Sequence, residues 1–142
     1  MAALREYPLS EEQFAERIET VKDNEKELLD FIDMIGSQVF RYALAETMIF
    51  DETISFEVRN KLVGHYVCRT GNYAVIDRLF RLPPGKEADQ IKRTVMKRAL
   101  EPGRQTRGVR VEDVEALLRR AEDSEEVLDL ARMFVKRRTE GK

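Results

Sequence analysis

Leu28-Leu-Asp-Phe-Ile-Asp-Met-Ile-Gly-Ser-Gln-Val-Phe-Arg-Tyr-Ala-Leu-Ala-Glu-Thr-Met-Ile-Phe50 is the stretch that decides the fold. Its apolar set is Leu28, Leu29, Phe31, Ile32, Ile35, Val39, Phe40, Tyr42, Ala43 and Leu44, ending in Met48-Ile49-Phe50. Intervals of three and four residues dominate that set, which is the spacing of one side of an α-helix. The stripe is too broad for a helix with one face in water, so the segment reads as a central, mostly buried element. Gly36 marks the place where it bends or breaks, because glycine inside a helix costs about 1 kcal/mol relative to alanine.

Helical signals continue outward in both directions. Ser10-Glu-Glu-Gln13 has the pattern of a capping box, in which serine and glutamine side chains satisfy free amides at a helix start. Phe14, Ile18 and Val21 follow at helical spacing, which predicts a first helix over 10–22. Asn24 with Glu27 repeats the start signal. Beyond the central segment, Ser55 opens a helix whose face is Phe56, Arg59, Val63, Tyr66 and Val67, with Gly71 as its stop. Asn72 caps a short helix carrying Val75, Ile76, Leu79 and Phe80, and Pro83-Pro84-Gly85 ends it. Residues 86–100 form a further helix with Ala88, Ile91, Val95, Met96, Ala99 and Leu100 on one side. A rival reading makes 65–76 a β-hairpin turning at Thr70-Gly71-Asn72, which would give an α+β protein with one short hairpin.

Residues 101–110 contain proline, glycines and arginines and form the one clear loop. After it, Val111, Val114, Leu117 and Leu118 stripe one helix. Asp123-Ser-Glu-Glu126 caps a second, striped by Val127, Leu130, Ala131, Phe134 and Val135. Two short helices cannot bury their stripes on each other alone, so they pack on the body or on a partner. The expectation is an all-α, compact multi-helix bundle. It has a helical body over 1–100, a Pro/Gly/Arg loop over 101–110 and a C-terminal helix pair over 111–142 on the same domain.

Composition narrows the class. The chain has 142 residues, enough for one domain, and 37% of them are charged against a typical share of about 25%. One Cys and one His exclude an internal disulfide framework and a four-ligand Cys/His zinc site. No apolar run is longer than four residues, so no membrane span is expected. The first residues lack the apolar stretch of a secretory signal, so the expected location is the cytoplasm.

Charge is segregated along the chain. Residues 1–57 hold five basic and 14 acidic side chains, a net of −9. Residues 69–110 hold 11 basic and four acidic ones, a net of +7, and residues 111–142 carry a net of −2. This division either lets oppositely charged parts attract within the fold or presents two faces to different partners.

Catalytic signals are few. His65 and Cys68, three apart, would share a helical face, but no third ligand or orienting residue sits at a telling spacing. Acidic runs such as Glu11-Glu12 and Glu125-Glu126 lie at helix starts, where they favour the helix dipole. No glycine-rich phosphate loop follows a strand. The expectation is a protein without catalysis, cofactor or metal.

Binding signals are stronger. Lys92, Arg93, Lys97 and Arg98 read as lying opposite the apolar face of their helix, and Arg104, Arg107 and Arg110 follow in the loop. Together with Arg81 and Lys86 they could meet phosphates or an acidic protein surface. Residues 73–100 have the rough layout of a helix-turn-helix, yet the chain's pI of about 5.6 is far from that of a stand-alone DNA binder. Leu117, Leu118, Leu130 and Phe134 either enter a groove on a partner or complete this protein's own core. Lys136-Arg137-Arg138 suit the exposed carbonyls of a helix end.

In general character the chain resembles the small accessory proteins that bacteriophages encode to bind host machinery. Such proteins are short, cofactor-free, charge-polarised and without catalytic motifs, and some bind RNA polymerase and redirect transcription. The resemblance carries no site residue over. It implies a small regulatory protein that binds a larger assembly, with RNA polymerase the best candidate. The alternative is a nucleic-acid-binding regulator using helix 86–100 and the arginine-rich loop.

Overall fold

A computed structural model describes residues 8–67, 72–101 and 108–140. The protein is all-α: the described residues form eight α-helices and one 3₁₀ helix, with no strand. Contacts divide the chain into two units, residues 1–66 and 67–142, each with its own buried core. The expected body over 1–100 therefore contributes to both units, and the C-terminal pair belongs to the second.

The first unit contains α1 (Glu11–Val21), α2 (Glu25–Ile35), a 3₁₀ helix (Gly36–Arg41), α3 (Ala43–Ile49) and α4 (Phe56–Tyr66). The capping box at Ser10 forms as its sequence predicts: Ser10 Oγ accepts from the Gln13 amide at 3.1 Å, and Gln13 Oε1 accepts from the Ser10 amide at 2.8 Å. Asn24 caps α2 through the Glu27 amide. The central segment is not one continuous helix. At Gly36 the backbone takes φ +61 and ψ −140, a region that side chains disfavour, so α2 ends there and the chain tightens into the 3₁₀ helix. A second break at Tyr42 starts α3. The buried side chains of all three pieces, from Leu28 through Ile35, Val39 and Tyr42 to Ile49, still form one core, so the broad stripe arises from three short elements.

Aromatic contacts join α1 to that core. Phe14 stacks on Tyr42 at 4.2 Å between centroids and lies 5.8 Å from Phe31. The Tyr42 hydroxyl donates to the Leu9 carbonyl at 3.0 Å. Nothing in the sequence next to α3 caps its first turn. The Glu11 carboxylate does so from α1, accepting from the Ala43 and Leu44 amides at 3.0 and 3.3 Å.

The second unit contains α5 (Tyr73–Phe80), α6 (Lys86–Ala99), α7 (Val111–Arg120) and α8 (Glu125–Glu140). α7 and α8 pack on each other, α8 also packs on α6, and α5 contacts both α6 and α7. The buried set includes Ile76, Leu79, Phe80, Ile91, Val95, Met96, Val114, Leu117, Val127 and Phe134. The C-terminal pair thus buries its stripes on α5 and α6. Ala121 ends α7 in the left-handed region, at φ 53 and ψ 32. The hairpin alternative is not seen, since α4 continues to Tyr66 and α5 starts at Tyr73 with Asn72 as its cap. Cys68 and the proposed stop at Gly71 lie outside the described residues.

Candidate binding surfaces

The expected basic face of the second unit was built on α6, and its first member is a correction. Lys92 does not face solvent: its side chain is 2% exposed. At about 100° per residue it falls inside the arc spanned by Ile91, Val95, Ala99 and Met96, the face that α5 and α8 cover. Its Nζ donates to Asp123 Oδ1 at 2.5 Å and to the Leu82 carbonyl at 2.9 Å, and Asp123 is itself only 3% exposed. Lys92 therefore ties α6 to the turn after α5 and to the turn between α7 and α8.

The other cations are mostly engaged within the unit. Arg93 pairs with Asp89 at 3.1 Å and with Glu126 at 3.3 Å. Arg98 pairs with Glu101 at 2.8 Å. Arg110 holds the Asp113 carboxylate with two bonds of 3.0 and 3.1 Å, and its guanidinium lies 4.1 Å from the centre of the half-exposed Tyr73 ring. Lys97 is the most open of the described set, 61% exposed and 3.8 Å from Glu126. Arg104 and Arg107 lie outside the described residues. Among the cations flanking this set, Arg81 pairs with Asp77 at 2.9 Å, while Lys86 is exposed.

The apolar candidates are a second correction. Leu117 and Phe134 are buried in the second unit's own core, so they cannot enter a partner's groove in this arrangement. Leu118 and Leu130, at the margins of the same stripes, are half-buried. The cations at the end of α8 do act on local structure. Arg137 donates to the Leu100 carbonyl at 3.0 Å, and Arg138 lies 4.5 Å from the Phe134 ring centre.

In the first unit His65 meets a carboxylate. Asp33 on α2 receives Lys61 at 2.6 Å and His65 Nε2 at 2.9 Å, both from α4. Hydrogen bonds from Lys61, then His65, hold the Asp33 carboxyl below its ordinary value. The cluster is an α2–α4 clamp on a partly exposed surface.

This unit also carries a groove of about 400 Å³. The end of α1, the start of α2, one side of α3 and the segment leading into α4 enclose it. Ile18, Leu28, Leu44, Met48, Ile54 and Val58 supply its apolar floor. Glu19, Asp23, Glu25 and Asp51 stand on the rim with a single cation, Lys22, which is bound to Glu19 at 2.9 Å. The Thr53 hydroxyl and amide both donate to Asp51, holding its carboxyl below the usual carboxylate range. Sequence reading could not find this groove, because its residues come from four elements whose turns set their convergence.

Among the described residues, no three His, Cys, Asp or Glu side chains converge to hold a metal ion. No helix among them is long and apolar enough to cross a membrane. No protein family, curated protein or solved structure matches the chain.

Proposed function

We propose that the protein is a small, non-catalytic regulatory factor that acts in the cytoplasm by stoichiometric binding to a larger protein assembly. A nucleic-acid-processing machine, RNA polymerase first, is the best candidate. The observation that carries this reading is how the charge segregation lies on the fold. The first unit holds seven basic and 14 acidic side chains, a net of −7, and the second holds 18 basic and 13 acidic, a net of +5. Two units of opposite net charge suit electrostatically steered docking, and polymerases offer both basic and acidic surfaces near bound nucleic acid. The alternative, phosphate binding by α6 and the loop after it, draws less support. Lys92 is buried, and Arg93, Arg98 and Arg110 each already face a carboxylate.

Size-exclusion chromatography of the full chain mixed with purified, nuclease-treated RNA polymerase tests the proposal. The expected result is a stoichiometric complex whose association rate falls as salt is raised. Absence of co-elution at low salt would overturn polymerase as the partner. If the chain instead bound duplex DNA alone, with a log–log salt slope of about −0.9 for each phosphate neutralised, the nucleic-acid reading would replace it.

A further inference from the structure

We infer that the groove of the first unit is a docking site for a short basic segment of a partner protein, one that inserts an apolar side chain between flanking lysines or arginines. This rests on the proposed binding function and names the chemistry of one contact. Three features of the groove carry it.

The first is the floor. Ile18, Leu28, Leu44, Met48, Ile54 and Val58 present apolar atoms in a concavity of about 400 Å³. That volume equals the share of about a dozen waters in the liquid, and water over the half-buried Leu44 and Ile54 side chains lacks polar partners there. It also lies within the range of pockets that accept organic groups, about 300–1,000 Å³. An aliphatic or aromatic side chain gains by displacing that water.

The second is the rim. Four carboxylates face one lysine, and that lysine is engaged by Glu19 at 2.9 and 3.1 Å. Asp23 and Glu25 are exposed and make no ion pair among the described residues. Asp51 is fixed by Thr53, with Arg59 as the nearby cation acting on it. An anionic segment would be repelled, a neutral one would leave Asp23 and Glu25 without an ion-pair partner, and a cationic one would pair with them.

The third is placement. The rim residues lie at the junctions between α1 and α2 and between α3 and α4, so side chains there can adapt without disturbing helix cores. The surrounding unit carries a net of −7, which favours the approach of a basic segment over other peptides.

The test is selection from a random-peptide display library on the immobilised full chain, followed by titration of a labelled selected peptide. The expected peptides share an apolar anchor flanked by Lys or Arg. Asp23→Lys combined with Glu25→Lys is expected to weaken binding at least tenfold in a protein that circular dichroism shows to be folded. Leu44→Glu, at a half-buried position, is expected to abolish it. Backbone amide shifts on peptide addition should cluster at residues 18–28 and 44–58. Peptides without basic character, or binding that survives both variants in proteins shown to be folded, would overturn the proposal. A concentration-dependent dimer lost on Leu44→Glu would put a second copy in the groove and overturn it too. If no peptide is selected while the chain still binds polymerase, the groove assignment fails and the binding function stands. If peptides occupy the groove but no assembly is bound, the reverse holds.

Discussion

Replacing Lys92 by methionine isolates what the buried ion pair contributes. Methionine keeps most of the apolar stem and removes only the ammonium, so lost packing is small. What remains is an Asp123 carboxylate 3% exposed without its cation, and a Leu82 carbonyl without its donor. Removing one partner of a buried pair costs about 3–5 kcal/mol, because the other charge stays desolvated. With a urea slope of about 2 kcal/mol per M, the unfolding midpoint should fall by about 2 M. Lys97→Met is the control: it removes an exposed charge 3.8 Å from Glu126 and should change stability by no more than about 0.5 kcal/mol. The double replacement Lys92→Met with Asp123→Leu removes both charges, and its stability should return to within about 1–2 kcal/mol of wild type or exceed it. Urea unfolding of the four proteins by far-UV circular dichroism at neutral pH gives these values directly. If Lys92→Met were as mild as Lys97→Met, Lys92 would be hydrated and the reasoning on its burial would fail.

Other perturbations have equally definite outcomes. Gly36→Ala forces a side chain onto φ +61 and ψ −140, so a loss of about 1–3 kcal/mol is expected in chemical denaturation, although a Cβ there meets no neighbouring atom. Ala121→Gly relieves a left-handed alanine at the end of α7 and should raise stability by about 0.5–1 kcal/mol. Asp33 has a folded pKa below its ordinary value, so its stabilisation is present above the usual carboxylate range and is lost as pH falls through the folded value. The stability difference between wild type and Asp33→Asn should be under about 1 kcal/mol at pH 5, because Asp33 is half-exposed, and should vanish towards about pH 2.

Much of the fold was legible because caps and stripes are local. Ser10, Asn24 and Asn72 each cap the helix that follows, as their side chains dictate. The break at residues 36–42 was half-legible: Gly36 announced a place for it, but periodicity could not reveal that the segment splits into three pieces. The Glu11 cap on α3 spans 32 residues of sequence and leaves no local trace. Lys92 was misread for another reason. Its angular position lies inside the apolar arc of α6, so the geometry was available, but its charge outweighed the angle. The dispersed Asp123 partner, 31 residues away, was invisible until the fold brought it near.

The two units also manage their charge differently, and this bears on how the proposed partner would meet each of them. In the second unit most described cations of α6 and its flanks pair locally with carboxylates three or four residues away or on the facing helix. Such pairs remove short-range fields and hold elements together, yet they leave the net excess untouched, since each cancels one charge of either sign. The excess resides on side chains such as Lys86, Arg119 and Lys136, which make no ion pair among the described residues. In the first unit the surplus carboxylates gather partly at the groove rim, beside an apolar floor. At a distance a partner would respond mainly to the surplus, because the fields of closely spaced opposite charges cancel, and salt in turn screens the surplus over about 10 Å. At contact it would meet the local arrangement instead, which is largely paired on α6 and only partly paired at the groove. On the proposed binding function, steering would draw on both units and recognition on the groove of the first.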